Sequence, residues 1–90
     1  MTGLDAAIAR WLALPEYART LKRQDLASDA KIHRASDADA RALASDPEMA
    51  AHWTRRADKH AERVEVAEAL LALIVEAEAQ ATRETAEVGR

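Results

Sequence analysis

The chain has no cysteine and no phenylalanine, and only two glycines and two prolines in 90 residues. Without cysteine there is no disulfide framework, no thiolate zinc site and no cysteine nucleophile. With glycine confined to Gly3 and Gly89, there is no glycine-rich loop to cradle a phosphate. Val and Ile are sparse, and no apolar/polar alternation marks a strand. Aromatics number three, Trp11, Tyr17 and Trp53, so the chain has few large side chains from which to build a core. The longest unbroken apolar run, Ala69 to Val75, is far too short for a membrane span. Met1 to Arg10 carries Asp5 and no apolar centre, so no signal peptide is expected and a soluble, cytoplasmic protein is.

What is abundant is helix-forming. Hydrophobic residues make up 49% of the chain, but 23 of them are Ala. Ala, Glu, Leu and Arg dominate, all residues that lose little on entering a helix. The expected fold is all-α, one small helical domain over residues 1–90, with short helices in 1–45 and one long helix in 46–88.

Leu4, Ile8, Trp11 and Leu12 recur at helical spacing and predict a first helix to about Leu14. Pro15 disfavours helix at Leu14 and breaks the chain there. Tyr17, Ala18 and Leu21 are expected to make the inner face of a second short helix that fades near Ala27. Ser28 to Ala35 has weak periodicity and reads as a loop. Ser36 with Asp39 three residues on resembles a capping box and opens a third short helix ending near Leu43. Asp25 to Leu43 does not meet the helix-turn-helix pattern: Lys31 stands where the turn wants Gly, and Asp37 where an inward apolar residue is needed.

Asp46-Pro47-Glu48 is a start signal, combining a capping carboxylate, proline in the first turn and an acid beside it. No Gly or Pro follows before Gly89. Some 38 residues at 1.5 Å each span about 57 Å, more than the preceding short helices can cover. Met49, Trp53, Ala57, His60, Val64, Ala67, Leu71 and Ile74 share one face, continuing through Glu78 and Ala81. From Ala57 the steps alternate three and four, the period of a coiled-coil seam. In the second half the apolar face widens to include Val66, Leu70, Leu73, Val75 and Ala77.

The long helix is also polar end to end. Residues 47–63 carry Arg55, Arg56, Lys59 and Arg63, while residues 64–90 carry six Glu against Arg83 and Arg90. This order opposes the helix dipole, so local stability does not explain it. Pairing with an antiparallel copy does. Ala57 would then meet Ala81, His60 meet Glu78, Val64 meet Ile74 and Ala67 meet Leu71. The expected oligomer interface is therefore Trp53, Ala57, His60, Val64, Ala67, Leu70, Leu71, Ile74, Glu78 and Ala81. The partner is a second copy in an antiparallel dimer, or a heterologous protein. The alternative is a monomer in which the N-terminal helices cover the seam.

His52, Arg56, Lys59 and Arg63 form a basic stripe beside Trp53 that suits an acidic partner or nucleic-acid phosphates. The net charge of −3 argues against a general nucleic-acid binder. Glu48 and His52 stand four apart rather than in the Glu-x-x-His spacing of helical di-metal sites, so no metal is expected. No catalytic residue and no cofactor is expected either. The expected function is a non-enzymatic helical protein–protein interaction module, with a dimeric nucleic-acid-binding regulator as the alternative.

Overall fold

The computed structural model describes residues 3–88, with three helices and no strand among them. They are α1 (Gly3–Leu12), α2 (Glu16–Leu43) and α3 (Ala50–Val88). Helix α1 ends where Pro15 forces extended backbone, at φ −59° and ψ 151°. The Pro15 carbonyl then accepts from the Ala18 and Arg19 N–H groups, each at 3.1 Å, and starts α2.

Helix α2 is the main departure from expectation. It runs 28 residues without interruption, so two helices precede α3 rather than three short ones. Residues 28–35, read as a loop, lie in its middle. The cause is a heptad stripe of unusual composition. Arg19, Arg23, Leu26, Ala30, His33, Asp37 and Ala40 alternate in steps of four and three, and each is buried or half-buried. Most of that stripe is polar or small, so it has little hydrophobic periodicity. Packing against α3 stabilises it, as tertiary contact stabilises most protein helices.

The turn between α2 and α3 uses the residues that announce it. Ser45 Oγ donates to the Ala42 carbonyl at 2.9 Å, and Asp46 Oδ1 accepts from the Glu48 N–H at 3.1 Å. Residues 46–49 form this turn, and α3 proper begins at Ala50 rather than Asp46. It then runs 39 residues.

Helices α2 and α3 form an antiparallel hairpin, and α1 touches α3 lightly near its C-terminal half. Arg19 pairs with Glu78 at one end, and Arg41 with Asp58 at the other. The register that brings Arg19 to Glu78 puts Ala30 opposite Ala67 and Ala40 opposite Ala57. These four alanines are the buried core among the described residues, and no large side chain is fully buried. Small residues at facing positions let the two backbones approach closely.

The result is a rod of 65 × 26 × 18 Å with a radius of gyration of 18.2 Å. A compact chain of this length would have a radius near 12 Å. Its accessible surface is 6782 Å², where a folded monomer of this mass exposes about 5,200 Å².

Candidate interaction face

Two parallel stripes run along α3, one residue apart in sequence. The inner stripe is the predicted seam, and α2 covers it. Ala57 and Ala67 are buried; His60, Val64, Leu71, Ile74, Glu78 and Ala81 are half-buried. Trp53 is half-buried at the start of the same line. Within the single chain, α2 lies along this stripe.

The polar members of the seam show the contact with α2 most directly. His60 Nδ1 lies 2.9 Å from His33 Nδ1, with the rings tilted by 30°. One nitrogen donates and the other accepts, so the pair needs opposite roles at the two Nδ1 atoms. Glu78 accepts from Arg19 at 2.9 Å and also pairs with Arg23. His60 and Glu78 thus find partners on α2 instead of each other across copies. The inner face of α2 carries Arg19, Arg23 and His33 rather than Tyr17 and Leu21, which are exposed. The four-and-three spacing of the two arginines and His33 was the available signal.

The outer stripe comprises Arg56, Lys59, Arg63, Val66, Leu70, Leu73, Ala77, Gln80 and Glu84. Its steps also alternate three and four. Val66 is 59% exposed, Leu70 46% and Leu73 39%. Leu70, predicted as an interface residue, belongs here and not to the covered seam. Two open grooves follow the stripe. One, of about 350 Å³, is lined by Leu26, Asp29 and His33 of α2 with Glu62, Arg63, Val66, Ala67 and Leu70 of α3. The other, of about 400 Å³, lies between Leu4, Ile8 and Leu12 of α1 and Leu73, Ala77, Gln80 and Glu84 of α3. Nothing in α1 is buried, and the groove remains open beside it.

The basic stripe forms the N-terminal part of the same face. Arg56, Lys59 and Arg63 are exposed and, with His60, line a shallow notch. His52 is half-buried, edge-on to Trp53 at 4.9 Å between ring centroids. The Arg56 guanidinium stands 5.9 Å from the Trp53 ring centre, within cation–π range. Five other arginines are matched: Arg19 and Arg23 with Glu78, Arg34 with Glu68, Arg41 with Asp37 and Asp58, Arg83 with Glu76; among the described residues Arg10 and Arg55 are not. Arg56, Lys59 and Arg63 have no ion pair among the described residues.

The face thus offers a row of uncovered aliphatic side chains and, next to it, three cations without an ion pair, with Asp29 and Glu62 beside Arg63. No group of three or more potential metal ligands occurs among the described residues, and no helix is long and apolar enough to cross a membrane. Comparison with protein-family models, curated proteins and solved structures found no match.

Proposed function

We propose that the chain is a non-catalytic protein–protein interaction module of the cytoplasm, binding through the outer face of α3. The observation that carries this reading is the row Val66, Leu70 and Leu73. These lie exposed on a chain whose fully buried residues are four alanines. An apolar row continuous over about two turns is a surface by which amphipathic helices recognise one another. Adaptor, assembly factor and small inhibitor or regulator all act this way.

The test is a tagged pull-down from host extract that includes an untagged copy of the same chain. It compares the unmodified protein with Val66→Glu/Leu70→Glu. A bound protein lost with the double variant supports the module. Binding that is indifferent to both residues overturns it. Because both residues are exposed, the variant retains its fold, which circular dichroism checks.

A second reading rests on the unpaired Arg56, Lys59 and Arg63. These three cations on one face fit nucleic-acid phosphates in a dimeric regulator. Binding to duplex DNA that weakens steeply with salt and is lost in Arg56→Glu/Lys59→Glu would support it. No salt-dependent DNA binding would remove it.

A further inference from the structure

The outer stripe is chemically ordered along its length. It begins with Arg56, Lys59 and Arg63, continues through Val66, Leu70, Leu73 and Ala77, and ends with Gln80, Glu84 and Glu87. We propose that its partner is α3 of a second copy, antiparallel, with Leu70 against Leu73 and Lys59 against Glu84. This inference rests on the interaction-module reading and names the partner.

In that register Arg56 faces Glu87, Arg63 faces Gln80 and Val66 faces Ala77. Every stripe position meets a stripe position, and two-fold symmetry repeats each pairing. Neighbouring registers fail chemically. A shift of one heptad in one direction sets Lys59 on Ala77 and Arg63 on Leu73. The opposite shift sets Val66 on Glu84 and Leu70 on Gln80. A parallel pair stacks Arg56, Lys59 and Arg63 each on its own copy, which repels. The antiparallel register alone places aliphatic on aliphatic and cation on anion or amide.

The geometry of the hairpin permits this pairing. Both stripes on α3 have the 3.5-residue period, so the supercoil that keeps Ala57 to Ala81 against α2 also keeps the outer stripe in line. The stripes lie about 100° apart around the helix, since they differ by one residue. A helix touching neighbours on two such faces is the arrangement of a four-helix bundle. The exposed area also suffices. The chain exposes 6782 Å² against about 5,200 Å² for a compact monomer, and a standard interface takes about 800 Å² from each partner.

Helix α1 then acquires a role. Its Leu4, Ile8 and Leu12 lie over Leu73, Ala77, Gln80 and Glu84, the acidic half of the stripe. No α1 residue is buried, and Leu4 is 55% exposed. Helix α1 competes weakly with the second copy for these positions and swings aside at residues 13–15 when the pair forms.

The chain lacks cysteine, so single-cysteine variants report one position each. Lys59→Cys and Glu84→Cys proteins are mixed and oxidised mildly. This is done in the unmodified background and with Leu4→Asp/Ile8→Asp, which releases α1. A 59–84 linked dimer is expected in both, with higher yield after release. Linkage of 59 to 59 is expected to be poor, because those positions sit about 37 Å apart along the pair. In sedimentation, releasing α1 should tighten the dimer about tenfold. Lys59→Glu/Arg63→Glu should weaken it about tenfold, and mixing with Glu84→Lys should restore part of that loss. Monomers in both backgrounds, or efficient 59–59 linkage, overturn the proposal. A monomer that still captures another protein through Val66 and Leu70 overturns the second copy and leaves the module reading standing.

Discussion

The two stripes of α3 share a helix, a period and nearly the same composition of small and aliphatic residues, yet one is covered and the other is open. The difference lies in what α2 presents. Facing the inner stripe, α2 supplies Ala30 and Ala40 for Ala67 and Ala57, Arg19 and Arg23 for Glu78, and His33 for His60. Each polar intrusion in the inner stripe has a counterpart. On the outer stripe Arg56, Lys59 and Arg63 have none, and Val66 and Leu70 meet solvent. A stripe is closed when its polar members are matched as well as its apolar ones. By that measure the outer stripe is unfinished.

The sharpest way to break the comparison is to add volume on the covered inner stripe and, as a control, on a face of the helix that belongs to neither stripe. Ala57 has no exposed surface, and its facing residue is another buried alanine. Ala57→Leu should destabilise the hairpin by about 1–3 kcal/mol, the usual range for overpacking, because α2 must move away to make room. Ala69→Leu, on an exposed position of the same helix, should change stability by no more than about 0.5 kcal/mol. Urea titration reads both as shifts of the midpoint at constant slope. Equal effects at the two positions would mean that α2 does not lie where the structure has it. Protein concentration must be held fixed, since association raises apparent stability.

The next largest effect is expected at Glu78. Its side chain is 22% exposed and accepts from both Arg19 and Arg23. Removing it leaves two guanidinium groups close together and half-buried, without their shared carboxylate. Glu78→Ala should cost about 1–2 kcal/mol, between the worth of an exposed ion pair and that of a buried one. Glu84→Ala, six residues on, where the carboxylate accepts from Gln80 of its own helix at 3.1 Å and has no ion pair, should cost a few tenths. The same midpoint measurement compares the two. A cost at Glu84 equal to that at Glu78 would erase the distinction between a carboxylate matched across the hairpin and one that is not.

How much of this was legible in the sequence follows from the same contrast. The long helix was, because Asp46, Pro47 and the absence of glycine until Gly89 are local signals. Its inner stripe was, because Val64, Leu71 and Ile74 carry hydrophobic periodicity. Helix α2 was not. Arg19, Arg23, His33 and Asp37 occupy its inward positions, and they qualify as inward only once Glu78 and His60 are known to lie opposite. The identity of the covering helix was lost for that reason. The widening of the apolar face toward Val66, Leu70 and Leu73 was visible in the sequence. Its separation into a second stripe needed the position of α2.

The smallest expected effect on stability is at Val66, and it separates the stripes most cleanly. Val66 is 59% exposed, so Val66→Lys removes little buried area and leaves the lysine head in water. At protein concentrations too low for association, its unfolding midpoint should match that of the unmodified chain within about 0.5 kcal/mol. At concentrations where the chain associates, the same variant should shift to a smaller species in light scattering, because a charge in a desolvated contact is costly. On the inner stripe, Val64→Lys should show the reverse order, with lost stability at every concentration. If Val66→Lys destabilises the dilute chain as strongly as Val64→Lys, then Val66 is packed within the hairpin, and the outer stripe is not an open face.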